Sequence, residues 1–236
     1  MNWNEVKRLD FEIANVCNAM CPQCLRHPTS SNLLNPILET KRRWTLDEVV
    51  KYLPAEDLSN IDSFLFNGNF GDFVSNNEAL EIINYFYSIR PNAFYQINTN
   101  GSARTKDWWR ELAKIKTLKI NFALDGLEDT HHLYRRNTNF NTIIENAKAF
   151  IDAGGQAEWT MTLFEHNEHQ VSECKKLATE LGFSSFVPRF SYRGTTLVSE
   201  DQKELYTIRQ AKSFVGEDKP RVPLDITAII KIEESL

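Results

Sequence analysis

The sequence predicts an α/β fold in which six βα units place parallel strands in an incomplete, TIM-like (βα)6 barrel. Short apolar or alternating runs take turns with helical patterns along residues 9–192, and strands that alternate with helices pair in parallel through right-handed crossovers. Six such units fall short of the eight that close a full barrel. The polar residues of chemical interest fall just after predicted strands, on the rim that carries the active site in βα barrels. A doubly wound open sheet is the fold-level alternative.

The elements follow in order. Residues 9–13, Leu-Asp-Phe-Glu-Ile, alternate apolar and polar as a first strand and run into a cysteine-containing loop, with an irregular stretch over 25–44. Thr45 and Glu48 form a capping box that starts a helix over 45–53. A second strand over 61–66 ends in the turn-rich Asn67-Gly68-Asn69-Phe70-Gly71-Asp72, and a helix over 77–88 carries the apolar stripe Leu80, Ile82, Ile83 and Phe86. A third strand over 94–97 ends in Asn98-Thr99-Asn100-Gly101 before a helix over 105–115. A fourth over 118–124 ends in Asp125-Gly126, and the helix over 141–153 stops at Gly154-Gly155. A fifth strand over 157–164, a helix over 167–181 and a sixth strand over 186–192 complete the series. Residues 1–192 are thus expected to form the barrel domain. Residues 193–236 form a charged C-terminal extension, partly helical, with a helix expected near 200–214 and prolines at 220 and 223.

The 236 residues are 42% hydrophobic, ample for a core, and carry a net charge of -5. No Lys/Arg block marks a nucleic-acid footprint, and no apolar run approaches a membrane span. The first residues lack signal-peptide character, so a reducing, cytoplasmic setting is expected.

The densest signal is Cys17, Cys21 and Cys24 in the spacing C-x3-C-x2-C. An odd number of thiols separated by tiny loops does not make a disulfide set. Thiolates at short spacings do hold iron–sulfur clusters. The fourth cysteine, Cys174, falls on a stripe with Val171, Leu177, Ala178 and Leu181 and reads as a core residue.

The cysteine triplet and the βα alternation together resemble the radical S-adenosylmethionine (radical SAM) superfamily over residues 9–192, closest in pattern to peptide- and protein-modifying, SPASM-type members. The resemblance implies that the cysteines hold three irons of a [4Fe-4S] cluster and that S-adenosylmethionine chelates the fourth. Reductive cleavage then yields a 5′-deoxyadenosyl radical that abstracts hydrogen from a substrate, a peptide or a small molecule. A reductant such as flavodoxin or ferredoxin is implied as partner. Gly71-Asp72 falls where the family has a Gly-Gly-Glu-Pro segment holding the cofactor's ammonium, although Phe70 and Phe73 replace its first Gly and its Pro. Asn98 and Asn100 match a third-strand Thr-Asn-Gly ending. Asp125 matches the Asp of a Ser-x-Asp-Gly segment, with Ala123 in place of the serine, and is assigned to ribose or substrate hydroxyls. Arg135 or Arg136 matches an arginine that pairs with the cofactor carboxylate, and Asn167 matches an asparagine near the adenosine. As plain helix caps, Asp72 and Asp125 would tolerate Asn, itself a good N-cap. The chain departs from SPASM-type members in having no cysteine after Cys174 for a Cys-rich extension.

A second reading is a non-catalytic zinc or iron–sulfur binding module, with His27 completing a Cys3His site. It leaves the rest of the rim unexplained.

Overall fold

The computed structural model describes residues 3–27, 35, 38, 40–191, 193–200 and 203–213. Six strands, β1 (Arg8–Asp10), β2 (Ser63–Phe66), β3 (Phe94–Thr99), β4 (Leu118–Ala123), β5 (Gln156–Leu163) and β6 (Ser185–Phe190), form one sheet in the order of the chain. Every neighbouring pair is parallel. Sequential order is that of a barrel; a doubly wound sheet reverses direction at a switch point. The crossovers carry α1 (Leu46–Tyr52), α2 (Ala79–Ile89), α3 (Lys106–Leu112), α4 (Glu128–Tyr134), α5 (Phe140–Asp152) and α6 (Val171–Glu180). The Thr45–Glu48 capping box starts α1 as expected.

The two faces of the sheet differ. Phe64, Phe66, Tyr95, Ile97, Ile120, Phe122 and Trp159 are buried in one core with α2, α3 and α5. Phe64 stacks on Tyr95 at 4.9 Å, and Trp109 of α3 lies 5.2 Å from Phe122. The alternate residues, including Asn98, Asn121, Thr160, Thr162 and Arg189, line a cavity on the other face. Parallel strands covered on both sides read as continuous hydrophobic runs. These strands alternate because helices cover only one side.

Three elements differ from the expectation. β1 ends at Asp10, three residues early, although the Phe11 amide still donates to the Leu65 carbonyl at 2.9 Å. Helix α4 was not foreseen. It is only seven residues long and has no side-chain N-cap bond, so it leaves a weak sequence trace. The helix expected over 200–214 is instead an antiparallel hairpin of β7 (Thr196–Glu200) and β8 (Lys203–Ile208); residues 201, 202 and 214 of that range, and both prolines, lie outside the described residues. The reason is tertiary. Val198 and Ile208 bury themselves on Phe164 at the end of β5, while Leu197 and Leu205 stay exposed, a two-residue period that a helix cannot satisfy. The Tyr206 hydroxyl fastens the hairpin to the Leu133 carbonyl at 2.7 Å.

This alternation sets an expected outcome. Ile208→Ala should destabilise the protein, or release the hairpin locally, by about 2–5 kcal/mol. Leu205→Ala should stay within about 0.5 kcal/mol. Denaturant unfolding combined with amide hydrogen exchange of the hairpin checks both.

Candidate active site at the strand ends

The loop after β1 folds as successive turns. The Cys24 amide donates to the Cys21 carbonyl at 3.0 Å, and the Met20 amide to the Arg136 carbonyl at 3.0 Å. These turns bring Cys17, Cys21 and Cys24 to the wall of one cavity of about 350 Å³. All three are free thiols. Burial pushes the Cys21 thiol up to about 11 and raises Cys17 as well, the latter helped by the nearby Asp72 carboxylate. Such thiols keep their protons until a metal displaces them. Cys174 is buried in α6, away from this wall.

Polar hydrogens point at the sulfurs. The Ala19 amide lies 3.3 Å and Asn100 Nδ2 3.5 Å from Cys17 Sγ, and Arg135 Nη1 lies 3.6 Å from Cys21 Sγ. Soft thiolate ligands with N–H donors directed at them suit an iron–sulfur group. Among the described residues, no three His, Cys, Asp or Glu side chains close around a single ion. His27 follows Cys24 in the same turn, its amide donating to the Cys24 carbonyl at 2.9 Å.

Asp72 is the fastening between the second and third strand ends. Its Oδ1 accepts from Thr99 Oγ1 (2.8 Å) and the Val74 amide (3.2 Å). Its Oδ2 accepts from the Asn100 amide (2.9 Å) and Asn100 Nδ2 (2.7 Å). Burial pushes this carboxyl up, against the pull of those bonds. Asn100 in turn donates to Asn18 Oδ1 at 3.0 Å, tying β3 to the cysteine loop. Gly71 is required by close approach, because a Cβ there would stand 1.9 Å from the Ala14 carbonyl oxygen. Asn98 lines the cavity between Asn67 and Asn121.

The arginine alternatives separate. Arg135 caps α4 and lines the cavity, whereas Arg136 supplies a backbone carbonyl to the cysteine loop and is not among the lining residues. Asp125 is fully buried behind Arg135. Its Oδ2 accepts from Arg135 Nε at 2.5 Å and its Oδ1 from the Thr162 amide at 2.5 Å. Asn167 is fully buried as well. It bonds the Phe164 amide (2.8 Å), the Thr162 carbonyl (2.9 Å) and the Asp125 carbonyl (3.2 Å), so it holds the end of β5 rather than the cavity wall. Of the residues named from sequence, Cys17, Cys21, Cys24, Gly71, Asp72, Asn98, Asn100 and Arg135 share the cavity; Asp125, Arg136 and Asn167 support it from outside.

The cavity also contains Gln23, Arg26, Asn121, Tyr134, Arg189 and Arg193, which the sequence reading did not single out. The two-residue period along β6 could have aimed Arg189 inward. Nothing local marks Gln23, whose amide reaches the Gly194 carbonyl and Thr196 Oγ1, both at 2.9 Å, far along the chain.

Comparison with known proteins agrees with this geometry. A family model for the radical SAM superfamily matches residues 11–178. The chain belongs to this superfamily. A cysteine-type anaerobic sulfatase-maturating enzyme of Clostridium novyi (strain NT) is 30% identical over 139 residues, 56% of this chain and 37% of that protein. The chain therefore spans little more than a third of this curated relative. Among solved structures, Streptococcus suis SuiB bound to precursor peptide SuiA superposes with a TM-score of 0.63 at 16% identity, covering 78% of this chain and 39% of that one. Native anSMEcpe with bound AdoMet and Cp18Cys peptide gives 0.59 at 18% identity, covering 78% and 50%. These likenesses establish the shared radical SAM fold, an incomplete barrel. No helix among the described residues is long and apolar enough to cross a membrane.

Two outcomes follow from the site's hydrogen bonds. Asp72→Asn should not be the silent swap expected of a simple cap. One of its oxygens would become an NH2 facing two donors, at a cost of about 1–3 kcal/mol in unfolding free energy by denaturant titration. His131 gives a pH signature. Its Nδ1 accepts from the Asp125 amide at 3.2 Å, and burial lowers its pKa to about 4. A lowered folded pKa means that the unfolded imidazole takes up a proton first, so this contribution is whole above about pH 6.5 and fades as pH falls toward about 4. Between pH 7 and pH 5 the wild type should lose about 2 kcal/mol more stability than His131→Gln.

Proposed function

We propose that this chain is a radical SAM enzyme acting on a peptide, with a [4Fe-4S] cluster on Cys17, Cys21 and Cys24. The observation that supports it most is the convergence of those thiols, with three N–H donors aimed at them, on one wall of a polar cavity at the strand ends. Three protein ligands leave one iron open for S-adenosylmethionine, whose reductive cleavage supplies a 5′-deoxyadenosyl radical for hydrogen abstraction.

The chain's own residues then have assignable tasks. Gly71, Asp72, Asn98 and Asn100 line the same cavity as the cysteines and orient the cofactor's methionine end, with Asp72 acting chiefly by fixing Asn100 and the backbone around it. Arg135 presents its guanidinium to the cofactor carboxylate while Asp125 fixes its direction; an arginine matches a carboxylate in bidentate geometry. Asp125 and Asn167 thereby act through the wall, as Arg136 does through the cysteine loop. Flavodoxin or ferredoxin is the class of reductant required. A peptide substrate is supported by the relatives, one a sulfatase-maturating enzyme and two crystallised with peptides.

Anaerobic reconstitution tests this reading. Iron and sulfide content should fall in each of Cys17→Ala, Cys21→Ala and Cys24→Ala and stay whole in Cys174→Ala. With dithionite and S-adenosylmethionine, the loaded wild type should release 5′-deoxyadenosine and methionine. An intact cluster that never binds or cleaves the cofactor would assign the chain to electron transfer or structure instead.

A further inference from the structure

Two features of the cavity, one at Asn121 and one at Arg189 and Arg193, have no part in the cofactor roles assigned above. The first is an unmatched acceptor. Asn121 Nδ2 donates to Asn98 Oδ1 (2.7 Å), Asn98 Nδ2 to Asn67 Oδ1 (3.0 Å), and Asn67 Nδ2 to Asp10 Oδ1 (2.8 Å). This ladder crosses from β4 to β1, and its direction is forced. An ionised carboxylate only accepts, so Asn67 must donate to Asp10 and each amide behind it must turn the same way. The far end is Asn121 Oδ1, buried on a residue 5% exposed and without a hydrogen-bond partner among the described residues. Asn121 lines the cavity. A buried acceptor left unmatched calls for a donor from a ligand or an ordered water.

The second feature is charge. Four arginines, Arg26, Arg135, Arg189 and Arg193, line this cavity against the single carboxylate of Asp72, in a chain whose net charge is -5. Arg26 is occupied by the Asn15 and Phe70 carbonyls, and Arg135 by Asp125. Arg193 donates to the Gln23 carbonyl and pairs with no carboxylate among the described residues. Arg189 reaches Glu158 only at 3.7 Å, and that carboxylate is shared with Lys119 at 3.4 Å and the Ser185 hydroxyl at 2.7 Å. Positive charge is therefore in excess on the β5–β6 side. The two features also meet in height. Asn121, Glu158 and Ser185 are register neighbours across β4, β5 and β6, so the contact with Glu158 brings the Arg189 head down to the level of Asn121.

We propose that the β5–β6 side of this cavity is the subsite for an acidic residue of the peptide substrate, its carboxylate held by Arg189, with Arg193 adding positive charge from the cysteine-loop side, and a backbone N–H of the same peptide by Asn121 Oδ1. Guanidinium groups match a carboxylate through paired N–H donors, and a neutral amide side chain forfeits the charge. Glu158 sets the position of Arg189 without cancelling it, since Lys119 shares its charge. The proposal deepens the peptide reading of the same site and rests on it.

The test uses the reconstituted protein with S-adenosylmethionine bound and N-acetylated, C-amidated tripeptides Ala-Asp-Ala and Ala-Asn-Ala, with affinity read by calorimetry or saturation-transfer NMR. The Asp peptide should bind about tenfold more tightly than the Asn peptide. Arg189→Gln and Arg193→Gln should each shrink that ratio while leaving the Asn peptide's affinity nearly unchanged. Asn121→Leu should weaken both peptides by the same factor, about tenfold, because the backbone N–H is common to both. An Ala-Ala-Ala peptide with a free C-terminal carboxylate separates a side-chain carboxylate from a chain end and should not gain the Asp advantage. Equal affinity of the Asp and Asn peptides, no binding of the Asp peptide at millimolar concentration, or an Asp preference that survives Arg189→Gln would overturn the proposal. Peptide-independent 5′-deoxyadenosine release by the same wild-type preparation keeps the two readings apart. Its loss refutes the enzyme, whereas its presence without an Asp preference refutes only the subsite.

Discussion

A parallel sheet of six strands has too few strands to close on itself, and the crossover helices α2, α3 and α5 pack on its outer face. That constraint shapes the rest of the molecule. The outer face has to supply the core, which it does with large aromatics such as Phe64, Tyr95, Phe122 and Trp159 packed beneath α2, α3 and α5. The inner face, freed from packing, carries asparagines, threonines and an arginine around a cavity. In a closed eight-stranded barrel the corresponding space is filled by branched apolar side chains. Here the same alternation of side chains provides stability on one face and a binding surface on the other.

The strand ends must nevertheless be held in place without a closed barrel to hold them. Polar fastenings do this. Three of the four bonds accepted by Asp72 join the turn after β2 to the end of β3, and Asn100 carries the connection on to the cysteine loop. Asp125 joins β4, β5 and the arginine at the end of α4 in the same manner. Asn167 closes the end of β5 on itself. Asp72, Asp125 and Asn167, which resemble cofactor ligands in sequence, are in this structure engaged in internal hydrogen bonds that hold the strand ends.

Gln23 and the hairpin add a long-range tie. The residue between Cys21 and Cys24 bonds to Gly194, Thr196 and Ser191, so the segment entering β7 is anchored to the cysteine loop itself. The β7–β8 pair, seated on Phe164, then stands at the β6 side of the cavity where Arg189 and Arg193 lie. The cysteine wall and the basic wall of the cavity are thereby mechanically connected, although some 170 residues separate them in sequence.

The sequence alone determined the order of the six parallel strands and of five of the helices between them, and placed the cysteines on the rim at the strand ends, because these follow from local periodicity and from short spacings such as Cys17, Cys21 and Cys24. It also placed Gly71, Asp72, Asn98 and Asn100 together, since each ends a strand that must pair with its neighbour. It could not decide between Arg135 and Arg136, because the two are adjacent just past the end of α4 and the turn there decides which of them faces the cavity. It did not separate Asp125 and Asn167 as supports from Asp72 as wall, since burial depends on which backbone amides fold over them. The hairpin escaped it for the same reason: residues 203–208 become a strand only when Phe164 offers an apolar surface for Val198 and Ile208. The unmatched Asn121 oxygen was equally invisible, as its isolation is set by a chain of amides anchored three strands away at Asp10. Local pattern reaches a few residues along the chain, whereas these contacts join residues brought together only by the folded sheet.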